Sequence, residues 1–566
     1  MHRISNGWRI AGVPRSPDGS PDRWRLGVWL WTGLIVGTSL AAAAAYGVLS
    51  RATVNPDPFV FAVAAKRLLA GQQLYVDFFE AKPPLATLFY VFPGALGPRC
   101  YLAVCWFLAA LLTLQGLIWL CWFRPRLPAA AACLWFVALY PATYWDFGWL
   151  STEHTSNLFI TGVLLASVAM FQDQRLLGLR CVLVGAATTA AFHCRQNTVL
   201  CLLVPLAVII LSEQPARAKL RAFAWLGLGI AVAWAAILSV VWVVSDLESY
   251  FFQVFVFPQR FAQVGGQGDR FHLLAAMGDH SLPALLGASA GLGLLGPHRR
   301  LVLIAIPVGI LTCLLPPRSH CHYWVNLFPF MAMSLLLGLP RSRPGTWRLE
   351  LVALAIFSAS VFAGLLHLVP IALSPSETEP MDEVATWIDS HAGQGDTLYV
   401  YGPMGTEYLQ FRSRLLPANK YTVGWEIDVN DGMVADSFAD ILGSYLRRPP
   451  TVFVVHQSQL VEMNRAQSSD RSETPRSTRL ALELMSTHGY DHVLELNGFH
   501  VYILRGVADR EDVSASLPAR GDAMHLRLDG PSNLHRQYHD ANRNTPASCR
   551  TPFAARFAVD AGLQRG

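Results

Sequence analysis

The sequence predicts an α-helical polytopic membrane protein that carries a small α/β domain near its C-terminal end. Three observations predict it. Only 15% of the 566 residues are charged and 53% are hydrophobic, against roughly 25% charged in ordinary globular chains. Apolar runs recur through residues 26–373, about eleven of them near the roughly 20-residue length that a crossing helix needs. Beyond Leu373 the pattern changes to short strand and helix signals of a soluble domain.

The first 25 residues are polar and basic, with Arg3, Arg9, Arg15, Arg23 and Arg25, and are expected in the cytoplasm. They lead into Leu26–Leu49. No clear cleavage site follows that run, so it is expected to stay as the first span rather than leave as a signal peptide. The further candidate spans are Tyr101–Phe123, Leu127–Tyr144, Asn157–Phe171, Leu176–Cys194, Thr198–Ser212, Leu220–Ser245, Leu282–Gly296, Leu301–Pro316, Tyr323–Leu339 and Leu349–Leu373. With the N-terminus inside, the inner loops carry Arg124 and Arg126, Arg175 to Arg180, Arg217 to Arg221, Arg299 with Arg300, and Arg341 to Arg348, as the positive-inside rule expects. The outer side then receives 52–98, 145–156, the Arg195 turn, 246–281 and 317–322. Leu85–Gly97 is too short to cross at about 1.5 Å per residue and is expected as a helix on the outer face.

Ser374–Pro380 reads as a linker, and 376–505 as an extracytoplasmic α/β domain. Met381–His391 places Val384, Trp387 and Ile388 on one helical face. Thr397–Tyr401 and Thr451–His456 read as buried strands. Val493–Leu496 and His500–Leu504 flank Asn497-Gly498, a hairpin turn signal. The stretch 508–566 is polar and aperiodic and is expected to be disordered. None of the ten cysteines lies between Ser376 and Arg505, so no disulfide framework is implied there. Nucleic acid is not an expected partner, because no basic stripe rises above the inner loops.

The densest chemistry lies in the first outer loop, 52–98. It holds Asp57, Asp77, Glu80, Lys66, Arg67 and Lys82, and Lys82 is followed by Pro83-Pro84. A sugar leaving a lipid phosphate needs a base for its acceptor and cations for the departing phosphate. A carboxylate beside Lys82 offers both. The competing reading makes Asp57 a helix cap and sets Lys82 among lipid headgroups.

Asp57, the helical Ala62–Ala70 with Gly71, and then Tyr75-x-Asp77-Phe78-Phe79-Glu80-x-Lys82-Pro83-Pro84-Leu85 resemble the first periplasmic loop of bacterial GT-C glycosyltransferases, relatives of the protein O-mannosyltransferases and the lipid A aminoarabinose transferase. The likeness spans roughly residues 25–505 and is looser after the first loop. It implies a GT-C fold in the inner membrane, a polyprenyl-phosphate sugar as donor, and a glycan, lipid or protein acceptor on the outer face. It implies Asp57 as acceptor base, Glu80 as a catalytic or metal-binding acid, and Lys82 at the lipid phosphate. The sequence departs from the family by placing Ala81 between acid and lysine, and by having a single acid at Asp57.

Four further residues join the candidates. Glu153 lies in the aromatic outer loop Trp145–His154, with Asp146 second to it. The alternative there is an interfacial aromatic belt. Arg195 lies at a helix end and could hold a phosphate bidentately, or snorkel to the boundary. Arg318 and His322, before Tyr323 and Phe328-Pro329, match a late motif of the family and are assigned to donor phosphate. A divalent metal remains open as cofactor, with Glu80 and His322 as weak ligand candidates. The aromatic segment Asp246–Ser281 is expected either to gate lipid entry or to pack beneath the α/β domain. The rival function classes are a flippase of polyprenyl-linked glycans, which few intramembrane charges and no repeat support, and a non-catalytic envelope assembly protein.

Overall fold

The structure is a computed structural model. It describes residues 56–97, 151–171, 174–264, 282–295, 299–316, 321–338, 379–403, 406–421, 427–428, 438–468 and 474–505. The spans expected at Leu26–Leu49, Tyr101–Phe123, Leu127–Tyr144 and Leu349–Leu373, the linker up to Thr378 and the tail after Arg505 lie outside the described residues.

The first loop opens with helix α1 (Pro56–Leu69) and closes with α2 (Pro84–Ala95). Pro84 suits the first helical position, where no N–H is needed. The helical part continues with α3 (Thr152–Ala169), α4 (Leu177–Cys194), a 3-10 stretch at Gln196–Leu202, α5 (Leu203–Leu211) and α6 (Ala216–Val244). There follow α7 (Leu247–Phe251), a π-helical turn at Phe252–Val256, α8 (Phe257–Val264), α9 (Leu282–Leu295), α10 (Arg299–Leu314), a 3-10 stretch at Cys321–Leu327 and α11 (Phe328–Gly338). Among the described residues, Gln174–Cys194 and Ala216–Val244 are long and apolar enough to cross a membrane. α6 turns Leu220, Trp242 and Val243 outward, an apolar face suited to lipid. It packs against α4 at backbone contact, since a Cβ on Gly185 would strike the Leu226 carbonyl and one on Gly229 the Val182 carbonyl.

Two expected spans are not uniform helices. Thr198–Ser212 and Tyr323–Leu339 each open as a 3-10 stretch before becoming α-helical. The cause is local: Arg195, Asn197 and Asn326 bring polar side chains to these points, and each is buried. Irregular backbone is tolerated inside a membrane protein where protein groups satisfy it.

The C-terminal domain contains α12 (Glu379–His391), β1 (Thr397–Tyr401), α13 (Glu407–Arg412), β2 (Leu416–Pro417), α14 (Phe438–Arg447), β3 (Val452–His456), α15 (Gln457–Ser468), α16 (Arg476–Thr487), β4 (Tyr490–Leu496) and β5 (Phe499–Leu504). The sheet order is β2-β1-β3-β5-β4. β1 runs parallel to β2 and β3, and β5 is antiparallel to β3 and β4. The hairpin turn is at Asn497-Gly498, both with positive φ (53° and 79°), which a two-residue turn of the primed type demands.

Alternate residues of β1 face two different cores. Leu398 and Val400 share a cluster with Phe59, Tyr90 and residues of the helical part. Tyr399 and Tyr401 share one with Phe79, Phe257 and Tyr421. Phe59 meets Tyr408 edge-on at 4.9 Å, and Phe79 meets Phe257 at 4.9 Å and Tyr421 at 5.6 Å. The described part of the 246–281 segment therefore packs beneath the α/β domain, one of the two expectations for it.

Candidate active site

The first loop is held in place by its own charges. α1 ends at Gly71, whose φ of 84° is the left-handed conformation that glycine adopts without strain. Arg67, buried, donates from Nε to Gln72 Oε1 at 2.6 Å, from Nη1 to the Asn419 carbonyl at 2.7 Å and from Nη2 to the Asp77 carbonyl at 2.7 Å. One guanidinium thus ties the loop to itself and to the α/β domain. Asp77 accepts from the Gln73 N–H at 2.7 Å, which makes it a turn-forming residue.

Tyr75 is fully buried with φ of 66°, a conformation that costs energy for a non-glycine residue and persists only when packing imposes it. Its hydroxyl donates to the Lys82 carbonyl at 2.8 Å, so the loop folds back on itself. Burial, with Glu80 and Tyr250 adding to it, holds this phenol well above its ordinary pKa. Gln253, from the π-helical turn, locks both sides of the fold. Its Oε1 accepts from the Glu80 N–H at 2.8 Å and its Nε2 donates to the Tyr75 carbonyl. Glu80 is 5% exposed, and its Oε1 accepts from the Lys82 N–H at 2.8 Å. Lys82 itself is half-buried.

Gln196 connects this loop to a second polar cluster. Its Nε2 donates to the Ala81 carbonyl at 3.1 Å and the Val254 carbonyl at 3.3 Å. The adjacent Arg195 makes an ion pair with Glu153, both of them buried. Arg195 also donates from Nε to Asn197 Oδ1 at 2.8 Å and from Nη1 to Thr152 Oγ1 at 3.3 Å, and it lies 4.2 Å above the Tyr323 ring. The Thr152 hydroxyl donates to Glu153 Oε2 at 3.2 Å. Helix ends favour this pairing: Glu153 sits in the first turn of α3 and Arg195 just past the last turn of α4. Asparagines satisfy the irregular backbone around it. Asn197 donates to the Thr312 carbonyl, Asn157 to the Val325 carbonyl at 2.8 Å, and Asn326 to Asn157 Oδ1 at 2.8 Å.

The predicted residues therefore divide. Glu80 and Lys82 share one tight turn, Glu153 and Arg195 form one buried pair, and Gln196 links the two groups. Asp57 lies in the first turn of α1 and His322 in the 3-10 stretch beside Tyr323, but their side chains lie outside the described part. Asp146 and Arg318 lie outside the described residues altogether. Arg195 is not a boundary residue reaching for water: it is 3% exposed. Among the described residues no three His, Cys, Asp or Glu side chains stand close enough to hold a metal. The sequence marked Tyr323 only as part of the late motif and gave no role to Gln253 or Thr152. A single amide within Phe251-Phe252-Gln253-Val254-Phe255 was the available signal for Gln253.

No protein-family model and no curated protein matches the chain. Solved structures do. The fold is the one that ArnT shows. ArnT from Cupriavidus metallidurans bound to undecaprenyl phosphate superposes with a TM-score of 0.59 at 15% identity, over 83% of this chain and 97% of ArnT. The same protein in the apo state gives 0.58 at 15% identity, over 84% and 98%. At this identity the likeness is one of fold.

Proposed function

We propose that this chain is a multi-pass inner-membrane glycosyltransferase that moves a sugar, hexosyl or pentosyl, from a polyprenyl-phosphate donor to an acceptor at the outer face. The observation that carries the reading is the Glu80–Lys82 turn, fastened by Gln196 beside the buried Glu153–Arg195 pair. It occurs in a fold shared with an ArnT that binds undecaprenyl phosphate. The N-terminus lies in the cytoplasm and the α/β domain outside. The acceptor is a glycan, a lipid or a protein.

Asp57 takes the proton of an acceptor hydroxyl. The acceptor oxygen bonds to the anomeric carbon from the side opposite the phosphate, as the bond from that carbon to the phosphate oxygen breaks. The electron pair leaves on the polyprenyl phosphate, so the anomeric configuration inverts. Lys82, with Arg318 and His322 from the late loop, meets the phosphate charge as it develops, the stage at which a fixed cation contributes most. A phosphate arriving at Arg195 competes with Glu153 for the guanidinium. Glu80 orients Lys82 through the Lys82 N–H.

The test uses purified chain in lipid with radiolabelled polyprenyl-phosphate pentose and hexose donors. Label is expected to leave the donor only when acceptor membranes are present. Asp57→Asn and Lys82→Ala are each expected to lower transfer by roughly 100-fold or more. Full transfer by both variants, with normal expression, rejects these roles. Donor translocation without cleavage would favour the flippase class.

A further inference from the structure

The β4–β5 hairpin brings three side chains of metal-binding type to one face of the sheet. Glu495 lies directly across the hairpin from His500. His492 lies across from Tyr502, two residues beyond His500 and so on the same face. His492 and Glu495 are three residues apart, which in a regular strand would put them on opposite faces. A β-bulge prevents this. His492 pairs with Tyr502 and Leu494 with Val501, so Val493 is the extra residue. Bulges re-aim side chains in this way, and here the bulge returns His492 to the face of Glu495 and His500.

The distances fit a shared ion better than they fit hydrogen bonds. His492 Nε2 is 3.4 Å from His500 Nδ1, and His500 Nδ1 is 3.8 Å from Glu495 Oε2. Well-formed hydrogen bonds from N–H are shorter, about 2.7–3.2 Å. Two imidazole nitrogens that bind one tetrahedral ion at about 2.0–2.1 Å stand about 3.3–3.4 Å apart. The His492–His500 spacing has that value. His492 is also hydrogen-bonded to the Leu494 backbone, the kind of bond that fixes the tautomer of a ligating imidazole. Glu495 acts electrostatically on both rings. Its carboxylate is not yet at ligand distance, so among the described residues the three donors do not form a closed set. The Glu495 side chain is 60% exposed, and turning it can shorten the 3.8 Å to about 3.4 Å. His492 is exposed as well, so an ion reaches the pair from solvent.

The donor set narrows the ion. Two imidazoles with one carboxylate suit zinc and its neighbours, whereas calcium and magnesium take oxygen ligands. We propose that His492 Nε2 and His500 Nδ1 bind a zinc-class divalent ion on the surface of the α/β domain, with Glu495 turning in as third ligand and water completing the coordination. The ion fastens β4, the edge strand of the sheet, to β5. The site does not rest on the transfer reading, because its readout is bound metal and not moved sugar.

The test titrates Zn²⁺ into the full chain in nanodiscs after treatment with a chelator, and follows the heat of binding. Co²⁺ is then used in place of zinc, because its visible absorption reports ligand number and geometry. The parent chain is compared with His492→Gln, with Glu495→Gln and with a chain lacking Val493, and the metal-free melting temperature of each is recorded. The parent is expected to bind a zinc ion that His492→Gln binds at least about tenfold more weakly. His492→Gln replaces an exposed residue and is expected to keep the metal-free melting temperature. Glu495→Gln is expected to weaken the same ion about tenfold and to change the Co²⁺ spectrum. Removing Val493 keeps all three side chains but turns His492 to the opposite face, so the ion is expected to be lost. Equal zinc binding by the parent and His492→Gln overturns the proposal. So does a parent that binds no zinc, since the rings are then a surface cluster only. Zinc retained without Val493, in a chain that folds, also overturns it, and His492→Gln decides alone where that chain does not fold. Loss with His492→Gln but not with Glu495→Gln overturns the part given to the carboxylate.

Discussion

Lys66 Nζ donates to the Gln410 carbonyl at 2.9 Å, joining the first loop to the α/β domain across 344 residues of sequence. The same ammonium reaches the carbonyls of Ser413 and Leu415. These groups close the C-terminal end of α13, the end of a helix at which a cation is favourable. Lys66→Met leaves the three carbonyls without this donor. The expected loss is about 2–3 kcal/mol of docking stability, the scale of a charged hydrogen bond and the desolvation left behind. Hydrogen exchange should quicken through 407–417 while α4 and α6 keep their protection. Unchanged exchange in 407–417 would refute the tie.

The Glu153–Arg195 pair is buried on both sides. Removing one partner strands the other charge, which typically costs about 3–5 kcal/mol. Glu153→Gln and Arg195→Gln are each expected to lower the melting temperature strongly. The double variant should lose less than the sum of the two. Strict additivity would mean the two residues do not act as a pair.

Gln253 holds the Glu80 N–H and the Tyr75 carbonyl with one amide. Gln253→Leu leaves both buried groups unsatisfied, at about 1–3 kcal/mol each. Transfer activity is expected to fall with it, because the Glu80–Lys82 turn loosens. Gln253→Glu keeps the acceptor but turns a buried carboxylate oxygen toward the Tyr75 carbonyl, so it should be at least as damaging. Donor turnover by the two variants, compared at equal folded fraction, checks the order.

His456 ends β3, and its Nδ1 accepts from the Ser458 N–H at 3.2 Å. Burial, with His500 nearby, pulls its pKa from the usual 6.5 down to about 4. The charged groups facing it are His500 and, through His500, His492 and Glu495. The unfolded chain binds more protons than the folded one between these two pKa values, so stability rises with pH there. It is fully present above 6.5 and lost as pH falls toward 4. For a partly exposed ring the loss is on the order of 1–2 kcal/mol. His456→Gln should flatten the dependence of the domain's melting temperature on pH between 6.5 and 4.

Patterns that depend on neighbours along the chain are legible in the sequence. Thr397–Tyr401 coincides with β1, Asn497-Gly498 with the hairpin turn, and the helix expected at 85–97 with α2 to within a few residues. In each case the local signal is strong: a buried apolar run, a pair that accepts positive φ, or a proline start. The small strand β2 and the helices α14, α15 and α16 carry no comparable signal, because their boundaries follow from packing on Tyr399, Tyr445 and Leu480 rather than from a repeating pattern. The site divides in the same way. The charge density of 57–82 marks the loop. Nothing in it shows that Arg67 reaches Asn419, or that Gln253 holds Glu80.

The sequence by itself determined an apolar helical part, a charged first loop and a separate α/β segment, because hydropathy and charge act residue by residue. Only the tertiary structure decided that Arg195 faces Glu153, that Gln196 carries the loop beside that pair, and that Lys66 fastens the loop to the α/β domain. The physical reason is that a buried charge is settled by whatever group of opposite sign or free carbonyl the fold brings to it, and here that group lies between 42 and about 350 residues away along the chain.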